Sequence, residues 1–153
     1  MQSLELKIPP VVVWLDCAGI QFGVARLTPG LSFTLPGRTP IALALAALGL
    51  AVALAGVAAF RRKGTTVNPL DPNASSSVVT SGVYRFSRNP MYLGFLLVLA
   101  GWAAYLSNAG AAALLPAFVA YMNAFQVKPE ERALLAKFGA EFMQYMSRVR
   151  RWL

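Results

Sequence analysis

The chain has 153 residues, 57% hydrophobic and 13% charged, with 14 Lys+Arg against 6 Asp+Glu for a formal net charge of +8. A soluble domain is nearer half apolar and a quarter charged, and the apolar excess here lies in long runs, which argues against a soluble fold and for an all-α, polytopic membrane protein. With one Cys and no His, an intramolecular disulfide, a cysteine metal motif and the commonest general base are absent, and no metal site is expected. The positive charge sits at the ends of apolar runs rather than on one solvated face, so its expected partners are membrane lipids and not nucleic acid. Residues 1–153 are expected to form a single membrane domain.

Residues 1–10 end in Pro9-Pro10 and carry one Glu and one Lys. They lack the basic region and cleavage site of a secretory signal, so none is expected to be removed. The first span is predicted over residues 8–27, interrupted by Asp16, Gln21 and Arg26. An ionisable Asp16 inside a span is a candidate functional group, against the simpler reading that it lies near an interface or is hydrogen-bonded in the bundle. Thr28–Thr39 carries Pro29-Gly30 and Pro36-Gly37, which is turn chemistry.

The second span is predicted over 40–60. Ile41 to Phe60 is 20 residues without a charge, long enough to cross a hydrocarbon core of ~30 Å. Eleven of those 20 are Ala or Gly, which predicts close helix contacts and a place inside the bundle. Arg61-Arg62-Lys63 follows at once and assigns that end to the cytoplasm. The polar stretch Gly64–Thr80 is long for a connection, and reads as a lid or binding loop or as a simple linker.

Ser81–Gly94 then crowds Arg, Tyr, Asn, Gly and Pro at the mouth of the third span, predicted over 90–107 with Pro90 in its first turn. Ser107-Asn108-Ala109-Gly110 is a tight turn into a fourth, antiparallel span over 110–127, with Pro116 expected to kink it. Leu135, Phe138, Phe142, Tyr145 and Val149 recur at 3, 4, 3, 4, which predicts one amphipathic cytoplasmic helix over 129–149. The chain closes on Arg148-Val149-Arg150-Arg151-Trp152-Leu153, the composition of an interfacial anchor.

With four spans and both termini inside, 12 of the 14 Lys and Arg fall on cytoplasmic pieces, leaving only Arg26 and Arg38 outside. This orientation puts Arg88-Asn89-Pro90-Met91-Tyr92 and Lys128-Pro129-Glu130-Glu131-Arg132 on the same side, at the start and end of one hairpin. Helices packed 8–10 Å apart let these clusters face each other across a site one ligand wide. Guanidinium, amide and phenol groups stand on one side and two carboxylates on the other, a pattern suited to a zwitterionic or cationic ligand.

The ordered series Arg88-Asn89-Pro90-Met91-Tyr92-Leu93-Gly94, a hairpin, Glu130-Glu131-Arg132-Ala133-Leu134, Phe138-Gly139, Phe142, Tyr145 and Arg148-Val149-Arg150-Arg151-Trp152 resembles the isoprenylcysteine carboxyl methyltransferases. That group is itself similar to phospholipid N-methyltransferases. The resemblance covers about residues 65–153. It implies an S-adenosylmethionine site open to the cytosol and a lipophilic substrate entering from the bilayer of a multi-pass protein, as in a bacterial inner membrane. By position, it implies that Tyr84, Arg88, Asn89, Pro90, Tyr92, Glu130 and Glu131 bind the cofactor. Glu131 and Arg132 are the catalytic candidates, Arg132 or a tail arginine orienting an anionic substrate group. The eukaryotic pattern has His where this chain has Asn89, an amide that can donate and accept a hydrogen bond but cannot titrate.

Methyl transfer from a sulfonium needs proximity, orientation and a dry site rather than a histidine. An ionised carboxylate acceptor needs no general base, whereas a lipid ammonium must first lose a proton, which tilts the reading toward an acid, thiol or neutral acceptor over a phospholipid amine. The competing classes are a non-enzymatic membrane scaffold, in which Arg85 and Arg88 only anchor headgroups, and a nicotinamide-dependent membrane reductase, for which no Gly-rich dinucleotide fingerprint is present.

Overall fold

A computed structural model describes residues 5–65, 68 and 70–153. Met1–Leu4 and, within the predicted Gly64–Thr80 loop, Thr66, Val67 and Pro69 lie outside the described residues. Among the described residues the chain is helical, without strands. Three helices are long and apolar enough to cross a membrane: Pro10–Leu27, Arg38–Lys63 and the nearly continuous Ala109–Phe138. Between them lies the shorter apolar helix Pro90–Leu106.

Helix α1 (Pro10–Leu27) begins directly after Pro9, with Pro10 in its first turn, where a missing N–H costs nothing. Helix α2 (Arg38–Lys63) outlasts the predicted 40–60 at both ends and takes Arg61, Arg62 and Lys63 into its last turn, where cations complement the exposed carbonyls. Helix α3 (Pro90–Leu106) is the centre of the bundle, with Leu99, Gly101 and Ala103 buried. α2 is not inside the bundle as its small residues suggested. It packs mainly on α3, and Leu43, Leu48, Leu50 and Leu54 face outward. The small residues serve that one contact: a Cβ on Gly49 would stand 2.5 Å from the Gly94 carbonyl, and one on Gly94 would stand 2.5 Å from the Gly49 carbonyl. Backbones this close pack without side chains between them.

Ser107 ends α3 in the left-handed region (φ 50°), and Asn108 caps the short helix α4 (Ala109–Ala112) by accepting from the Ala111 N–H. The predicted kink is a break at Ala113, before α5 (Leu114–Met122). Pro116 has no N–H to offer the Ala112 carbonyl, so the ladder is cut there. The fully buried Asn108 gives its amide to the Thr28 carbonyl (2.9 Å) and to Ser32 Oγ (3.3 Å), and the Phe33 N–H bonds the Ser107 carbonyl (2.9 Å). The loop after α1 is thereby tied to the α3–α4 turn. Asp16 stands on the exposed face of α1.

Two further expectations change. The fourth helix does not stop at Val127. It passes through a wider π turn at Asn123–Val127 into α6 (Lys128–Phe138). Pro129 cannot donate to the Phe125 carbonyl one turn back, and the Leu6 N–H takes that acceptor instead at 3.0 Å. The single helix predicted over 129–149 is two, α6 and α7 (Ala140–Arg148), parted by Gly139 at φ 52°, ψ −122°, a conformation that suits only glycine. The sequence stripe spans this break because both helices bury the same side: Phe142 and Tyr145 are buried, with Leu134, Leu135, Phe138 and Met146 packed around them.

Candidate functional site

Where α2 ends, α3 begins and α6 meets α7, the fold leaves a cavity of about 660 Å³ including its open mouth. Its walls come from four places: Phe60 at the end of α2, Ser75–Val79 from the loop, Tyr84 to Tyr92 from the mouth of α3, and Glu130 to Tyr145 from α6 and α7.

Local sequence explains the placement. The short 3₁₀ turn Gly82–Arg85 buries Tyr84 against Phe60, edge to face at 5.3 Å between ring centres. Tyr145 from α7 donates its hydroxyl to the Tyr84 carbonyl at 2.8 Å. Burial pushes both phenols above the usual tyrosine range, so each stays a neutral donor. Asn89 is the residue before α3, which sets Arg88 and Asn89 outside the helix and Tyr92 on its first turn.

Two carboxylates one residue apart have different surroundings. Glu131 is clamped: Arg88 Nη2 reaches its Oε1 at 3.0 Å, while Arg151 takes both oxygens, Nε to Oε1 at 3.0 Å and Nη2 to Oε2 at 2.6 Å. The bidentate fork raises Arg151 above its ordinary pKa. Glu130 has neutral partners. Its Oε1 accepts from the Tyr92 hydroxyl at 2.5 Å and from the Gln126 amide at 2.6 Å, and no cation of the described residues lies within ion-pair distance. Among the described residues, two buried polar atoms on cavity-lining side chains lack a hydrogen-bond partner, Ser77 Oγ and Arg88 Nε.

The extended C-terminal tail closes one side. The Arg88 N–H bonds the Arg150 carbonyl (3.0 Å) and the Asn89 amide bonds the Arg151 carbonyl (2.9 Å). Trp152 Nε1 donates to Asn123 Oδ1 (3.0 Å) in the π turn, and its ring packs on the cluster around Tyr92 and Met122.

Six of the eight residues expected in the site line this cavity: Tyr84, Arg88, Asn89, Tyr92, Glu130 and Glu131. Arg88 and Glu131 are in direct contact rather than a ligand's width apart. Pro90 is buried in the first turn of α3 and shapes the entry without lining it. Arg132 points elsewhere: it is exposed and pairs with Glu5 at 2.5 Å. The residues missed are Phe60 and Gln126; Ser77, Val78 and Val79 come from the stretch read as a lid or binding loop or as a linker, Phe142 and Tyr145 from the motif series without a role of their own, and Arg151 is one of the tail arginines offered for an anionic substrate group. Gln126 stands four residues before Glu130, a signal visible only once the helix is known to continue through Val127.

A second groove, lined by Pro9, Pro10, Val11, Asn68, Leu70 and Phe95, shares Met91 and Tyr92 with the lining of the first cavity. Its walls are almost wholly apolar.

The sequence pattern of the phospholipid methyltransferase family matches residues 38–141, about two thirds of the chain, from α2 through α6. The chain belongs to the phospholipid methyltransferase family. The family is one of membrane methyltransferases, and the long apolar helices with outward-facing leucines are those of an integral membrane protein. The chain is similar to an uncharacterised protein of Haemophilus influenzae, 43% identical over 63 residues that make up 41% of this chain and all of that one. It is also similar to methanethiol S-methyltransferase 1 of Bradyrhizobium diazoefficiens, 44% identical over 68 residues, which cover 44% of this chain and only 22% of that protein. No solved structure matches.

Proposed function

We propose that the chain transfers a methyl group from S-adenosylmethionine to a lipophilic acceptor held in the bilayer. The carrying observation is the charge pattern of the cavity. Among the described residues Glu130 offers a carboxyl without a cation, while Arg88, Arg151 and Glu131 together leave one surplus positive charge. A ligand with both a cationic and an anionic group answers both, and the unpaired Arg88 Nε and Ser77 Oγ are the donors its polar end would need. The methionyl part of S-adenosylmethionine has that chemistry, and Phe60, Val78, Val79 and Phe142 are the apolar surface for the rest. When bound, it supplies a sulfonium methyl, which the acceptor's lone pair takes as the C–S bonding electrons return to sulfur.

Tyr92 and Gln126 hold Glu130 in place, and the stacked helices exclude water around them. The apolar groove at Met91 and Tyr92 admits a hydrocarbon tail from the membrane side of α1 and α3. With no histidine in the chain, an acceptor that arrives ionised or uncharged at the reacting atom, such as a carboxylate or thiol, is favoured over a lipid amine. The thiol chemistry in the name of the Bradyrhizobium relative is of this kind. We place the site and both termini on the cytoplasmic side, where the charge asymmetry puts 12 of the 14 basic residues.

Calorimetric titration of the detergent-purified chain with S-adenosylhomocysteine tests the reading. Saturable binding is expected. Absence of binding at millimolar concentration sinks the methyltransferase reading, and binding of NADPH in its place would make the chain a reductase.

A further inference from the structure

Arg151 does not line the cavity, yet it determines what the cavity sees of Arg88. Glu131 has two oxygens and two guanidinium partners. Arg151 takes both oxygens in a fork, while Arg88 reaches only Oε1 and by one nitrogen. This single contact leaves Arg88 Nε buried, without a partner, on a residue that lines the cavity. Were the fork absent, Glu131 Oε2 would be free, and Arg88 could close on both oxygens as guanidinium and carboxylate geometry prefers. The trio would also lose its surplus positive charge.

We infer that Arg151 is a positioning residue: by occupying Glu131 it keeps Arg88 presented to the cavity as the binding group for the anionic end of the ligand. The inference rests on the S-adenosylmethionine reading above. The tail is also docked without the Arg151 guanidinium, through the Arg150 carbonyl, the Arg151 carbonyl and the Trp152 indole, so the fork to Glu131 is one tail contact among several.

The test compares two ligands on the full chain in detergent by calorimetry. One is S-adenosylhomocysteine. The other is its decarboxylated analogue, which keeps the amine and lacks the carboxylate. For Arg151→Gln we expect S-adenosylhomocysteine to bind about tenfold more weakly and the analogue to change by less than about twofold. An equal loss for both ligands, or no loss for either, overturns the inference and leaves the methyltransferase reading standing. Failure of the unaltered chain to bind either ligand overturns both. Should Arg151→Gln fail to fold, Arg151→Lys keeps the charge and gives up the fork. The preference for S-adenosylhomocysteine over the analogue should then fall about threefold, and an unchanged preference overturns the inference.

Discussion

The two ends of the α3 helix each bury a polar cluster, and the clusters are finished differently. At the turn end, Asn108 spends its amide on Thr28 and Ser32 and its carbonyl on Ala111. Everything it needs comes from the chain. At the other end, among the described residues, Glu130 has hydrogen bonds but no cation, Arg88 has an idle Nε, and Ser77 has an idle hydroxyl. An unpaired atom alone does not separate the two ends, since Gln21 Oε1, near the turn, is also buried without a partner. What separates them is that the Arg88 end sets a carboxyl without a cation among the described residues, an idle guanidinium Nε and an idle hydroxyl around one cavity. A saturated cluster fixes a fold, whereas an unsaturated one around a void is the feature on which the proposed ligand site rests.

The comparison breaks most visibly at Glu130. Glu130→Gln keeps the shape and removes the charge, and should lower S-adenosylhomocysteine affinity by roughly a hundredfold or more, as for loss of one partner of a buried charge pair. The thermal midpoint should hold, because the carboxylate pairs with no cation of the described residues in the free protein. A large fall in that midpoint would make Glu130 structural.

Gly94→Val should do the opposite. Its side chain would run into the Gly49 carbonyl, where a Cβ already stands at 2.5 Å, so about 2–3 kcal/mol of stability should go with the close α2–α3 packing. Thermal unfolding in detergent reads this, and an unchanged midpoint would mean that α2 is not held as described.

Smaller effects sharpen the contrast. Tyr92→Phe removes one of the two donors to Glu130 and should weaken ligand binding about tenfold, the size of a hydrogen bond to a charged group. Asn108→Ala should cost about 1–2 kcal/mol in stability, as loss of a helix cap does, with ligand affinity unchanged. If Asn108→Ala instead weakened binding more than Tyr92→Phe, the division between the two ends would be false. Arg132→Ala is expected to shift affinity and stability least of all, because an exposed pair with Glu5 contributes about 0–1 kcal/mol. A large loss of activity there would restore Arg132 to the catalytic role that its place in the motif suggests.

The Arg132 case shows where sequence reasoning stopped. Glu130, Glu131 and Arg132 are adjacent in the chain, but successive helical residues point about a hundred degrees apart. Only the rotation of α6 decided that Glu130 and Glu131 face the cavity and Arg132 faces Glu5. Gln126 was hidden by a boundary drawn at Val127, where Pro129 looks like the start of a new helix. In the structure the π turn and the Leu6 N–H carry the helix past it. Gly139, in contrast, is a break legible in the sequence, masked by a hydrophobic stripe that two helices share.

By itself the sequence determined the helical class, the apolar runs, the turn at Ser107–Gly110 and the pairing of one basic-aromatic mouth with one acidic helix start. These follow from composition, periodicity and charge placement, which act locally along the chain. The tertiary structure alone decided that α3 rather than α2 is central, that the tail's Arg151 forks Glu131, and that Glu130 meets no cation of the described residues. Those outcomes depend on which helix faces meet, and residues 20 to 127 positions apart in sequence became partners only when the bundle closed.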